Sequence, residues 1–288
     1  MKIALGTVQF GLEYGVANQS GRVQLEDIKN ILQQAVVQSV DTLDTAIAYG
    51  DSEHTLGQSG LDGWKVVTKL PALPEGCADV AGWVAAQIEG SLSRLGVSQL
   101  HGVLLHLPDQ LLGENGKPLF KALQHLKAQG ITRKIGVSVY GPEELDRLRG
   151  EMQFDLVQAP LNILDRRLVE SGWAKKLKAQ GTELHVRSAF LQGLLLMQAE
   201  QRPEKFARWS SIWSEWARWL DETGLTPLQA CLGYALGVED VDKVVVGVDS
   251  VKQLQEILVA SHSALPSLPN WPQPIDTDLI NPGRWNQL

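Results

Sequence analysis

Short apolar runs rich in β-branched residues recur along the chain, with amphipathic stretches between them. The runs predict strands at Ile3–Leu5, Val40–Leu43, Lys65–Thr68, Gly102–Leu105, Lys134–Val139, Leu156–Gln158, Glu183–Arg187 and Lys243–Val246. Apolar residues at three- and four-residue spacing predict helices over Leu25–Gln38, Val80–Leu95, Leu119–Gln129, Arg166–Ala179 and Val251–Ser261. Gly130 and Gly181 fall where helix C-terminal glycines belong. Nearly unbroken apolar strands such as Val244–Val246 indicate a parallel sheet covered on both faces. Eight βα units without a composition break favour a closed α/β barrel over an open doubly wound sheet. The open sheet lacks its usual signature, because no Gly-x-Gly-x-x-Gly follows the first strand, and Gly57, Gly60 and Gly63 are spaced differently and follow no strand.

The pattern changes at Ala264. Pro266, Pro269, Pro272, Pro274 and Pro282 forbid a long helix, while Trp271 and Trp285 make residues 264–288 more than a solvated linker. This tail is expected to pack near the mouth of a barrel domain formed by residues 1–263. Trp209, Trp213, Trp216 and Trp219 recur at spacings of three and four, the stripe of an amphipathic helix in core or subunit packing.

Composition narrows the function classes. The chain has 288 residues, 44% hydrophobic and 20% charged, which is globular rather than disordered or collagen-like. Twenty-six Lys and Arg against 33 Asp and Glu leave a net charge of −7, without the basic cluster that nucleic-acid binding needs. No stretch approaches the length of a membrane span and no signal-peptide core is evident, so a cytoplasmic, soluble protein is expected. Cys77 and Cys231 are too few and too isolated for a disulfide framework or a zinc site, and no metal is expected. Asn18-Gln19-Ser20 matches a glycosylation sequon that carries no weight without a secretion signal.

In a parallel barrel the active site lies at the carboxyl ends of the strands. Asp44 and Tyr49 follow the second strand, Lys69 ends the third and His106 ends the fourth. Singly, each has an ordinary explanation: a helix cap, a packing aromatic, a solvated cation, a core imidazole. Together they form a plausible proton-transfer unit. A phenol is a poor acid at neutral pH, and a neighbouring ammonium lowers its pKa by stabilising the phenolate. Asp44 would hold Lys69 charged, and His106 would orient a carbonyl oxygen toward the Tyr49 hydroxyl.

These residues resemble the aldo-keto reductases. Asp44-Thr-Ala-Ile-Ala-Tyr49-Gly is followed in order by Thr68-Lys69, Ser91-Leu-Ser-Arg94-Leu-Gly96, Leu105-His106 and Gly130-x-x-Arg-Lys-Ile-Gly-Val-Ser138, and the resemblance runs from Gly6-Thr7 to about Glu256. It implies a single-domain (β/α)8 TIM barrel that binds a nicotinamide nucleotide without a Rossmann domain and reduces aldehydes or ketones. The catalytic tetrad falls on Asp44, Tyr49, Lys69 and His106, with Tyr49 as the general acid.

The resemblance also implies cofactor contacts. Thr7 and Asp44 belong to them; Ser138 and Gln158 match residues that bind the nicotinamide carboxamide, although the asparagine expected after the serine is here Val139. Arg187 stands where an aromatic ring would stack on the nicotinamide, a place a guanidinium plane can take unless a carboxylate claims it. Ser188, Phe190 and Gly193 would meet the pyrophosphate, and Val248, Asp249, Gln253 and Glu256 would lie at the adenosine end. NADP(H) is the expected cofactor because the family mostly uses it; Asp249 would repel a 2′-phosphate, which keeps NAD(H) as the alternative.

Phe10, Tyr14, Leu107, Trp271 and Trp285 are the candidate walls of a substrate pocket. The opening Leu5-Gly-Thr-x-Gln-Phe-Gly-Leu-x-Tyr-Gly15 and the closing Pro282-x-Arg-Trp285 are similar to aldo-keto reductases of bacterial surface-sugar synthesis, which points to a sugar-derived carbonyl. Two other readings stay open: a nucleotide-binding regulatory subunit on the same barrel, and an aldolase using Lys69 as a Schiff-base nucleophile. The sequence leaves the oligomeric state open.

Overall fold

The computed structural model describes residues 1–18, 21–148, 150, 152–269, 271 and 274–288; Gln19 and Ser20 of the sequon and Pro272 of the tail lie outside them. Eight strands, β1 (Ile3–Gly6), β2 (Thr42–Asp44), β3 (Lys65–Leu70), β4 (Leu100–Leu105), β5 (Thr132–Ser138), β6 (Leu156–Pro160), β7 (Glu183–Arg187) and β8 (Lys243–Gly247), pair in sequence order into a closed barrel. Every pairing is parallel, and the barrel closes where Ile3–Gly6 meets Val244–Gly247 residue for residue.

The connecting helices are α1 (Val8–Gly11), α2 (Leu25–Val37), α3 (Ser52–Ser59), α4 (Val80–Leu95), α5 (Gly116–Ala128), α6 (Pro142–Arg147), α7 (Arg167–Glu170), α8 (Trp173–Ala179), α9 (Ser210–Thr223), α10 (Pro227–Gly237), α11 (Val251–Ala260) and α12 (Thr277–Ile280). Each long helix turns one apolar stripe inward. Ile28, Ile31, Leu32 and Ala35 are the buried residues of α2, and Val80, Val84, Ile88 and Leu95 do the same for α4. The Asp79 carboxylate caps α4 by accepting from the Gly82 N–H, and Thr226 with Gln229 closes a capping box at the start of α10. Gly57 lets α3 lie directly on α4, since a Cβ there would stand 2.1 Å from the Arg94 carbonyl oxygen.

The closed barrel matches the sequence expectation, while several boundaries move. The third strand runs on through Lys69 to Leu70, so Lys69 sits inside it, and His106 falls just past β4 with its N–H donating to the Leu70 carbonyl. The sixth strand reaches Pro160 rather than stopping at Gln158. The single helix expected over Arg166–Ala179 is two, because Gly172 takes a φ of 77° between α7 and α8.

The tryptophan stripe is core packing. Trp213, Trp216 and Trp219 are the buried tryptophans of α9, Trp209 is buried in the turn just before it, and the chain after Ala264 covers them. Trp271 lies 6.1 Å from Trp216, Trp219 Nε1 donates to the Ser267 carbonyl, and Trp285 packs edge-on to Phe206 at 4.8 Å. Among the described residues no helix is long and apolar enough to cross a membrane.

Candidate active site

The four polar residues picked from the strand ends do meet. Lys69 is buried at 1% exposure, and its Nζ donates to Asp44 Oδ2 at 2.7 Å, to the Thr45 carbonyl at 2.9 Å and to Tyr49 Oη at 3.4 Å. The second carboxylate oxygen of Asp44 accepts from Gln158 Nε2 at 2.6 Å, and Gln158 Oε1 accepts from the Ser138 hydroxyl at 3.0 Å. Both oxygens of Asp44 are thereby engaged by fixed donors. His106 stands edge-on to Tyr49, ring centres 5.8 Å apart at 76°.

The electrostatics follow from this packing. Burial alone would favour a neutral amine at Lys69, but the Asp44 carboxylate and Tyr49 beside it outweigh that effect and raise its pKa above the ordinary value. His106 moves the other way. Burial, then the Lys69 and Arg187 charges, push its pKa down from 6.5 to about 4, so the imidazole is neutral at physiological pH and can donate only one ring N–H. Burial beside Tyr49 raises the Tyr14 pKa, which keeps that phenol protonated.

A hydroxyl cluster fixes the strand end that carries Asp44. Thr7 donates its backbone N–H and its hydroxyl to the Asp44 carbonyl, Ser52 donates to the Thr7 carbonyl, and Thr45 and Ser52 lie 3.1 Å apart. Below it lies a carboxylate that sequence reasoning missed. Glu53, 2% exposed, accepts from Thr68 and Ser91 hydroxyls at 2.6 Å and from Arg94 Nε at 2.9 Å. It ties α3 and α4 to β3 next to Lys69, which gives the Ser91–Gly96 motif a structural role. The polar residues of that motif were the available signal; their partner, about forty residues earlier, was not.

A cavity of about 550 Å³ opens over the tetrad and extends along the rim to β8 and α11. Asp44, Tyr49 and His106 line it, as do Thr7, Tyr14, Arg187, Ser188, Phe190, Gly193, Asp249, Gln253 and Glu256. The Arg187 guanidinium lies 4.6 Å over the Tyr140 ring and donates to the Val139 carbonyl at 3.0 Å; it forms no ion pair among the described residues. Ser188, Leu191 and Gln192 adopt positive φ, followed by Gly193 at 88°, so this loop is held in a conformation that costs about 1–3 kcal/mol at each non-glycine position. Gln192 donates to the Tyr14 hydroxyl at 2.9 Å and so ties the loop to the segment after β1.

Other expected residues lie elsewhere. Ser138 and Gln158 are buried, are not among the cavity-lining residues, and join it through the Gln158 hydrogen bond to Asp44. Val248 is buried in the core between its cavity-lining neighbours Gly247 and Asp249. Of the five candidate walls, Tyr14 lines the cavity, whereas Phe10, Leu107, Trp271 and Trp285 are placed away from it. Phe10 is fully buried, because the turn of α1 aims it inward while Val8 and Gln9 face the cavity. Leu107 is half exposed beside Pro108 and is not part of the lining. Trp271 and Trp285 are consumed by the aromatic packing on α9 and Phe206. Gln9 was missed: it lines the cavity against Gly247, and its buried Oε1 has no partner among the described residues.

Comparison with known proteins places the chain in a family. The family model described as "Aldo/keto reductase family" matches residues 2–267. The chain belongs to the aldo/keto reductase family, a family of oxidoreductases. It is similar to an aldo-keto reductase of Mycobacterium sp. (strain KMS), 37% identical over 127 residues that cover 42% of this chain and 44% of the relative. It is also similar to a 6-dehydroglucose reductase of Agrobacterium fabrum, 31% identical over 144 residues covering 44% and 48% of the two chains. The chain spans about half the length of the curated relatives it matches. Among solved structures the fold is that of a glycerol dehydrogenase from Gluconobacter oxydans, TM-score 0.72 at 20% identity, covering 92% of this chain and 88% of that one.

Proposed function

We propose that the protein is a nicotinamide-dinucleotide-dependent carbonyl reductase with Tyr49 as its proton donor. The observation that carries this reading is the hydrogen-bonded set Gln158–Asp44–Lys69–Tyr49 opening, beside a neutral His106, into one end of a long cavity. The rest of the cavity fits a dinucleotide: the Ser188–Gly193 loop along one side, and at the β8 side two buried oxygens, Gln9 Oε1 and Asp249 Oδ1, with no partner among the described residues. When bound there, the nicotinamide supplies a hydride to the carbonyl carbon.

The chain's own residues do the rest. The charged Lys69 Nζ donates to Tyr49 Oη at 3.4 Å, where it meets the negative charge that develops on that oxygen as the proton passes to the carbonyl. Asp44 and the Thr45 carbonyl keep that ammonium fixed and desolvated, so its field is spent on Tyr49 rather than on water. His106, neutral, offers one N–H to the same oxygen without competing as an acid. Asp44 at 2.7 Å also argues against the aldolase reading, because a Schiff-base nucleophile must be an unprotonated amine and this lysine is held charged. The complete tetrad favours turnover over a purely regulatory role.

For substrate we favour a polar, hydroxylated small carbonyl compound, sugar-derived in kind. Tyr14, Tyr140, Arg187 and Gln192 line the cavity with hydrogen-bonding groups, and the named relatives include a 6-dehydroglucose reductase. Incubating the protein with reduced nicotinamide nucleotide and a panel of aldoses, dehydro-sugars and an activated aromatic aldehyde tests the reading by loss of nicotinamide absorbance. Turnover with the sugar-like carbonyls is expected; covalent trapping by borohydride with a carbonyl and no nucleotide would instead restore the aldolase.

A further inference from the structure

The family resemblance favours NADP(H), and the β8 side of the cavity argues the other way. That side is built from Gln9, Gly247, Asp249, Gln253 and Glu256. It carries two carboxylates and no Lys or Arg among its lining residues. Lys252, the nearest basic residue in sequence, is almost fully exposed and leans toward Glu256 at 3.9 Å. Arg187, which also lines the cavity, is on β7 and committed to Tyr140 and the Val139 carbonyl.

Asp249 itself is held in place. Its backbone N–H donates to Gln253 Oε1 at 2.8 Å, and Ser250 caps α11 by accepting from the Gln253 N–H at 3.2 Å, so the loop entering the helix is fixed from both sides. Its Oδ1 is buried and accepts no hydrogen bond among the described residues. The same shortage appears in its ionisation, since burial raises the carboxyl pKa and Gln253 only partly offsets that. A buried carboxylate oxygen without a donor needs a ligand that donates. A ribose diol has hydroxyls to give; a 2′-phosphate has acceptors and negative charge only, and would stand beside Asp249 and Glu256 with no cation to offset it.

We infer that Asp249 selects nucleotides with a free ribose diol, so that the protein takes NAD(H) and rejects its 2′-phosphorylated counterpart, Asp249 Oδ1 accepting from a ribose hydroxyl. This rests on the dinucleotide reading of the cavity. It concerns binding, so it can be tested apart from turnover.

Isothermal titration of the full chain with NADH and with NADPH, carbonyl substrate absent, is the direct test. The expected result is tighter binding of NADH by roughly tenfold or more, the discrimination that an unpaired buried group enforces. Asp249→Asn keeps an acceptor and removes the charge, so it should bind NADPH more tightly while holding NADH; Asp249→Ser should weaken NADH as well and bring the two affinities together. Equal or tighter NADPH binding by the unaltered protein overturns the inference and leaves the reductase reading intact. Binding of neither nucleotide overturns both, and an Asp249→Ser protein with unchanged affinities would show that selection lies in other residues.

Discussion

Replacing Lys69 with Met keeps the length of the side chain and removes its charge, which isolates what the ammonium does. In the native protein the pair with Asp44 is nearly dry, with side-chain exposures of 1% and 6%, and closes at 2.7 Å. Lys69→Met leaves the Asp44 carboxylate with Gln158 as its remaining side-chain donor and strips the Thr45 carbonyl of the Lys69 donor. Breaking one side of a buried pair costs about 3–5 kcal/mol, because the surviving charge stays desolvated. At about 2–4 °C per kcal/mol for a domain of this size, the melting temperature should fall by about 6–20 °C. Urea unfolding followed by tryptophan fluorescence gives the free energy directly, since most of the nine tryptophans are buried. The double variant Asp44→Asn/Lys69→Met should lose less than the two single losses added, as neither charge is then stranded. A single-variant loss below about 1 kcal/mol, or strict additivity in the cycle, would refute the claim that the pair is desolvated and mutually dependent.

Two further predictions follow from neighbouring groups. The His106 imidazole takes its proton near pH 4 when folded and near pH 6.5 when unfolded, so the unfolded chain binds more protons between those values. The stability it contributes is therefore complete above pH 6.5 and lost as the pH falls to about 4; an NMR titration of the ring should show a midpoint near 4, and a midpoint near 6.5 would contradict the site's electrostatics. Glu53→Gln removes the charge that holds Arg94 and turns one acceptor into a donor facing Thr68, Ser91 or Arg94, which should cost about 2–4 kcal/mol in thermal or urea unfolding. A neutral outcome there would mean that α3 and α4 are held to β3 by apolar packing alone.

The barrel could be read from the chain because a parallel strand covered on both faces is written as an unbroken apolar run, as at Val244–Val246. The strand ends were harder for the same reason. Asp44 and Lys69 are polar yet inside their strands, since each buries its charge against the other, so a reading based on apolar runs stops short of them. Gly172 was passed over because the apolar spacing of Arg166–Ala179 continues across it. The tetrad was legible, being four polar residues at or just past the ends of three successive strands. Glu53 was not, because its meaning lies in partners on β3 and α4. Trp271 and Trp285 were expected at the pocket; the tryptophan stripe of α9 shows that something must cover it, and only the folded chain shows that these two do. Asp249 could be named from sequence, whereas the want of a donor to its Oδ1 among the described residues could not.

The central claim is that Tyr49 gives the proton. The most direct measurement is steady-state reduction by Tyr49→Phe beside nucleotide affinity measured by titration. Loss of the phenolic hydroxyl should lower kcat by about 10²- to 10⁴-fold, the usual contribution of a general acid, while nucleotide affinity stays within a few fold. A Phe variant that keeps the native kcat would place the proton donor elsewhere and overturn the mechanism.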